Sequence, residues 1–145
     1  MHLGSFYLVT RDFEKSLAFY EKLLDMPVTN RNRDRFAEMI IDGRHNISFL
    51  NPYYDVAHPD MIELKGGQYP EFDTMTTFAE APNTHKFVIN LWTEDLRAEY
   101  ARIQALGITE HITGIRYLCS SMPYWYFQLK DPDDNIIEVT GGYVA

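Results

Sequence analysis

Few side chains in these 145 residues combine reactive chemistry with a suggestive setting. The most isolated is Glu138, a carboxylate inside the apolar run Ile136-Ile137-Glu138-Val139-Thr140. In a partly apolar cleft such a group has two functional roles. Desolvation raises its pKa and makes it a general base, or it stays ionised and pairs with a cation beside aromatic faces. Rings are plentiful, since Tyr, Phe and Trp make up 14% of the chain. Cys119 and the pair Ser120-Ser121 have no neighbouring His with a defined partner, so nothing marks a nucleophile. Gly66-Gly67 lacks the helix context of a phosphate loop. Asp131, Asp133 and Asp134 crowd a turn, and turn preference explains them better than calcium does.

Bulk properties narrow the partners. The formal charge is −8 and the pI about 5.0, a surface that repels phosphate backbones and argues against nucleic acid. It tolerates or mildly attracts cations. A single cysteine excludes an internal disulfide and a thiolate zinc cluster, and a free thiol suits a reducing compartment. The first ten residues alternate like a strand and show no secretory signal, and no run approaches the ~20 apolar residues of a membrane span. The expectation is a soluble, cytoplasmic protein without membrane partners.

The elements that must position these residues come as two copies of one unit. Ser5 to Asp12 leads into Phe13–Leu24, and Val88 to Asp95 leads into Leu96–Gly107. With Asp12 laid on Asp95, apolar residues coincide at Phe13/Leu96, Leu17/Tyr100, Ala18/Ala101, Tyr20/Ile103 and Leu23/Leu106. The spacing predicts a strand over 2–10, with Phe6 and Leu8 on one face and Ser5, Tyr7 and Val9 on the other. Asp12 is the expected N-cap of a helix that Pro27 prevents from continuing, its apolar face being Phe13, Leu17, Tyr20 and Leu24. Strands over 36–41 and 46–50 flank the turn Asp42-Gly43, and Pro52 ends the unit. In the second unit His85 to Trp92 reads as a strand, Thr93 or Asp95 caps a helix that stops at Gly107, and strands follow over 112–118, 125–130 and 136–140. Asp131 to Asn135 is a turn, and Gly141-Gly142 releases the tail. Residues 53–82 are interrupted by Pro59, Gly66-Gly67, Pro70 and Pro82, yet carry Tyr53, Tyr54, Tyr69, Phe72 and Phe78. They read as a functional loop or as a connector that packs its rings on the body, with one short turn or strand over 60–65.

Together these make an α+β chain of two βαβββ units, 1–52 and 84–145, forming one domain joined by an insertion over 53–83. Each helix covers one face of a four-stranded sheet. The expectation is a pseudo-twofold pair of half-barrels that encloses a cleft between the other two faces.

Three stretches resemble the vicinal oxygen chelate superfamily, which includes glyoxalases, extradiol dioxygenases and bleomycin-resistance proteins. Leu8 to Tyr20 is similar to the opening strand and the D-x-x-x-S-x-x-F-Y helix. Thr93-Glu94-Asp95-Leu96 with Leu106-Gly107 is similar to the second opening, and Lys130 to Val139 to the closing D-P-D-G-N-x-x-E hairpin. The resemblance implies a metal site built from the first and last strands of each sheet, at Ser5, Ser48, Val88 and Glu138. Only Glu138 offers ligand chemistry there, since valine supplies no donor and neutral serine a poor one. Strand alternation turns His2 and His85 to the opposite face, while His45 lies beside a turn and His111 before a strand. A shift of register by one residue would bring one of them in.

The expected lining of the cleft is therefore organic rather than metallic: Ser5, Tyr7, Ser48, Asn90, Trp92, Tyr124, Tyr126 and Glu138, with Gln128 beside them and Phe127 and Leu129 on the helix side. A remnant metal ligand hydrogen-bonded to Ser5 or a tyrosine is the structural alternative for Glu138. The implied function is metal-free, cofactor-free binding of an aromatic or cationic small molecule, similar to the bleomycin-resistance group, whose members are homodimers. Whether the chain is an enzyme stays open. The alternative is a metal-dependent lyase, isomerase or dioxygenase using Glu138 and a histidine, and a further one is a closed cleft acting through a partner.

Overall fold

The computed structural model describes residues 1, 4–63, 65, 75–119 and 121–143. His2, the start of the first predicted strand, Gly66-Gly67, Tyr69, Pro70, Phe72 and Ser120 lie outside the described residues. The chain divides into two compact units, Met1–Pro82 and Asn83–Ala145.

The first unit opens with β1 (Phe6–Val9) and α1 (Phe13–Leu24). Asp12 caps α1 by accepting from the Lys15 N–H at 3.0 Å, as its position predicts. The helix stops before Pro27 acts, because Asp25 turns left-handed at φ 51° and its N–H reaches the Glu21 carbonyl. Leu23 rather than Leu24 completes the buried stripe with Phe13, Leu17 and Tyr20. Next come β2 (Asn30–Asn32), β3 (Phe36–Ile41) and β4 (His45–Leu50). The β3–β4 hairpin turns through Asp42 and Gly43, both at positive φ, as an Asp-Gly loop should. The strand order is β1-β4-β3-β2, with β1 parallel to β4. β2 is wholly polar, short and exposed, so no apolar alternation announces it.

Pro52 opens a helix instead of ending the unit. In α2 (Pro52–Ala57) it occupies the first turn, where a missing N–H costs nothing, and the Asn51 side chain caps Tyr53 N–H. A 3-10 turn covers Pro59–Met61 and overlaps only the first two residues of the stretch over 60–65 expected to hold a short turn or strand. Then α3 (Met75–Glu80) is the last helix of the insertion among the described residues. These pieces attach to the body by an ion pair and a hydrogen bond: Arg35 grips Asp55 through two nitrogens at 2.7 and 2.9 Å, and Arg11 donates to the Ala79 carbonyl. Within the insertion Tyr54 stacks on His58.

The second unit repeats the plan with β5 (Val88–Thr93), α4 (Leu96–Leu106), β6 (Arg116–Cys119), β7 (Pro123–Lys130) and β8 (Ile136–Gly141), in the order β5-β8-β7-β6. Asp95 is the N-cap, accepting from Ala98 N–H at 3.0 Å, and Gly107 is the left-handed stop at φ 58°. β5 begins at Val88, not His85, because His85 adopts φ 56° and its ring meets Asp134 at 3.1 Å. β6 begins at Arg116, since Ile112 makes only an isolated bridge to Leu129 before the chain breaks away. Gly141-Gly142 does not release the tail. A Cβ on Gly141 would lie 1.9 Å from the Thr93 carbonyl oxygen, and Gly142 exchanges backbone bonds with Thr93 and Leu96. Tyr143 then stacks on Trp125 with ring centroids 4.2 Å apart.

Each core lies between helix and sheet. Tyr20 of α1 meets Phe49 of β4 at 4.9 Å, and Tyr100 of α4 meets Phe127 of β7 at 5.0 Å. Phe127, Leu129, Ile137 and Val139 are buried on the helix side, as strand alternation requires. No helix among the described residues is long and apolar enough to cross a membrane.

Candidate functional site

Strand register places the polar residues of the second unit on the sheet face away from α4. Asn90, Glu138 and Gln128 pair in one row across β5, β8 and β7. Trp92, Thr140 and Tyr126 form the next row, which Arg116 extends on β6. The Glu138 carboxylate accepts from Tyr124 Oη–H at 2.7 Å and Asn90 Nδ2–H at 3.1 Å on one oxygen, and from Gln128 Nε2–H at 3.0 Å on the other. Tyr124 lies two rungs along β7, so its side chain leans across the Thr140 row, and Thr140 is only 9% exposed. Tyr124 and Tyr126 tilt against each other at 5.5 Å.

All three donors to Glu138 are neutral, and no ion pair to it occurs among the described residues. Lys130 lies farther along the same face of β7, but its Nζ is held by Asp134 at 2.7 Å. Lys130, and then His85, hold the Asp134 carboxyl below its ordinary pKa. Glu138 is thus a carboxylate oriented by neutral donors and without an ion pair among the described residues. Trp92, 66% exposed, offers a free ring in the adjoining row.

The first unit carries the matching row. Tyr7 pairs with Ser48 and Ser48 with Glu38, in the register of Asn90, Glu138 and Gln128. Its carboxylate has moved one strand, from β4 to β3. Ser48 is fully buried and its Oγ has no hydrogen-bond partner. Ser5, half-buried, stands just before β1.

Of the eight residues expected from sequence, the fold brings Asn90, Tyr124 and Glu138 into one hydrogen-bonded group, with Trp92 and Tyr126 in the next row. Tyr7 and Ser48 are neighbours in the other unit, and Ser5 joins neither row. Sequence reasoning passed over Glu38. The Asp42-Gly43 hairpin contained the signal, because pairing outward from that turn sets Glu38 opposite Ser48.

The donor set does not suit the divalent ion of the resembled family. Ser5, Ser48, Val88 and Glu138 supply one carboxylate, and among the described residues no three His, Cys, Asp or Glu side chains gather. His45 is taken by Asp42 in the hairpin turn, and His85 by Asp134.

Comparison with known proteins follows the fold. No curated protein matches the chain by sequence. Among solved structures, a lactoylglutathione lyase from Agrobacterium tumefaciens is similar at 14% identity and TM-score 0.60, covering 97% of this chain and 93% of its own. A bleomycin resistance determinant encoded on the transposon Tn5 shares 18% identity at TM-score 0.59, covering 99% and 100%. A bleomycin-binding protein complexed with bleomycin shares 19% identity at TM-score 0.55, covering 99% and 100%. The profile that describes the Glyoxalase/Bleomycin resistance protein/Dioxygenase superfamily matches residues 2–139, and the chain belongs to that superfamily.

Proposed function

We propose that this chain is a metal-free small-molecule-binding protein, whose ligand carries a cationic group that meets Glu138 and an aromatic part that lies on Trp92 and Tyr126. The observation that carries the reading is the Glu138 carboxylate, fixed by Tyr124, Asn90 and Gln128 and without an ion pair among the described residues. A neutral clamp of this kind orients an anion without quenching it, so a ligand cation gains a charge-assisted hydrogen bond. The exposed Trp92 ring beside it adds cation–π attraction. The bleomycin-bound neighbour supports ligand capture on this fold.

The protein acts as a homodimer in this reading. Tyr7 and Val88 are 52% and 42% exposed on the strands β1 and β5, each at the end of its sheet, and a second copy would shield them. Binding to the native state must raise apparent stability. Thermal denaturation with a panel of aromatic amines is therefore expected to show concentration-dependent upward shifts that Glu138→Gln removes. Stoichiometric zinc, nickel, manganese or iron in the purified protein, with metal-dependent turnover lost in that variant, would instead establish a lyase, isomerase or dioxygenase.

A further inference from the structure

We infer that Glu38 is the centre of a second cation-recognition site, on the first unit, for an organic ammonium group attached to an aromatic ring. An open hollow of about 220 Å3 on this unit is lined by Asn30, Arg31, Asn32, Phe36 and Glu38. Register puts Asn30, Asn32, Phe36 and Glu38 on the face away from α1. The carboxylate is held much as Glu138 is, by neutral amides: Asn30 Nδ2–H donates to one oxygen at 2.8 Å and Asn46 Nδ2–H to the other at 2.6 Å. No ion pair to Glu38 occurs among the described residues. Arg31 supplies no counter-charge, because its guanidinium lies over the Phe13 ring on the other face and pairs with Glu14 and Asp34. Phe36 stands two residues from Glu38 on the same face of the strand, at the spacing an aryl group and its ammonium would span. Directly across the pairing lies the buried, unpartnered Oγ of Ser48, so the row holds acceptor capacity that the folded chain leaves unused.

The site stands on residues separate from those of the Glu138 reading, and its test separates the two. Benzylammonium is titrated into the whole chain while the side-chain amides of Asn30 and Asn46 are followed by NMR, with neutral benzyl alcohol as control. Those amides should shift saturably with benzylammonium and not with benzyl alcohol, and Glu38→Gln should weaken the response at least about tenfold, as expected on losing a charge-assisted contact. Absence of shifts, equal shifts with benzyl alcohol, or an undiminished response in Glu38→Gln would overturn it. If Glu38→Gln fails to fold, the comparison of the charged and neutral probes on the unaltered chain still decides. Failure of the Glu138 reading would appear elsewhere, as silent Asn90 and Gln128 amides.

Discussion

At the scale of single residues, the account turns on carboxylates held by neutral donors. Tyr124→Phe removes the shortest of the three bonds to Glu138, and a part-exposed bond to a charged group is worth about 1–2 kcal/mol. Ligand affinity should change little, since Asn90 and Gln128 still hold the carboxylate, while urea denaturation reports the stability loss. Ser48 makes the opposite prediction. Its buried hydroxyl has no partner, so Ser48→Ala should leave stability unchanged or raise it by up to about 1 kcal/mol. A clear loss of stability would mean that the Oγ is engaged. Asp134 sets a pH dependence. Its folded pKa is depressed by Lys130 and then His85, so the stabilisation is complete above the ordinary carboxyl range and disappears as pH falls through the lowered value. Because the pair is exposed, the effect stays under about 1 kcal/mol. Asp134→Asn should flatten the acid limb of a stability–pH profile by that amount and leave neutral pH as the region of greatest loss.

Among the elements, the ends of strands and helices matter most. Gly141 lies where β8 closes on the end of β5, and any side chain there meets the Thr93 backbone. Gly141→Ala should cost about 2–3 kcal/mol, as overpacking against a rigid group does, and calorimetry would register a lowered transition. The duplicated helices were legible because two signals agree, Asp caps at both starts and the apolar pairs Phe13/Leu96 and Tyr20/Ile103, all buried except for the caps. The β3–β4 hairpin was legible through Asp42-Gly43. Three features were not. The polar β2 earns its place by pairing with β3, and pairing leaves no periodicity. The helix at Pro52 was hidden because proline both ends and begins helices. At Gly141-Gly142 a glycine pair signals close backbone approach as readily as a loose tail. For the site, alternation along β7 and β8 separated Tyr124, Tyr126 and Gln128 from the buried Phe127 and Leu129. Glu38 escaped notice because it matches Gln128 in position and not Glu138, so a search for equivalent ligands looks one strand away.

For the whole molecule, a net charge of −8 and two carboxylates held by neutral donors set the long-range character of binding. Association with cationic ligands should weaken as ionic strength rises, more for the encounter than for the contact itself. Exposed Tyr7 and Val88 also predict self-association. Sedimentation should give a dimer that Val88→Arg shifts toward monomer, and a monomeric unaltered chain would remove that part of the account. The most direct measurement addresses the lone acid. Chelator-treated protein is titrated with benzylammonium while the Asn90 and Gln128 side-chain amides are followed. The account predicts saturable shifts that need no divalent ion and vanish in Glu138→Gln. Shifts that appear only after a divalent ion is restored, or that survive that substitution intact, would contradict it.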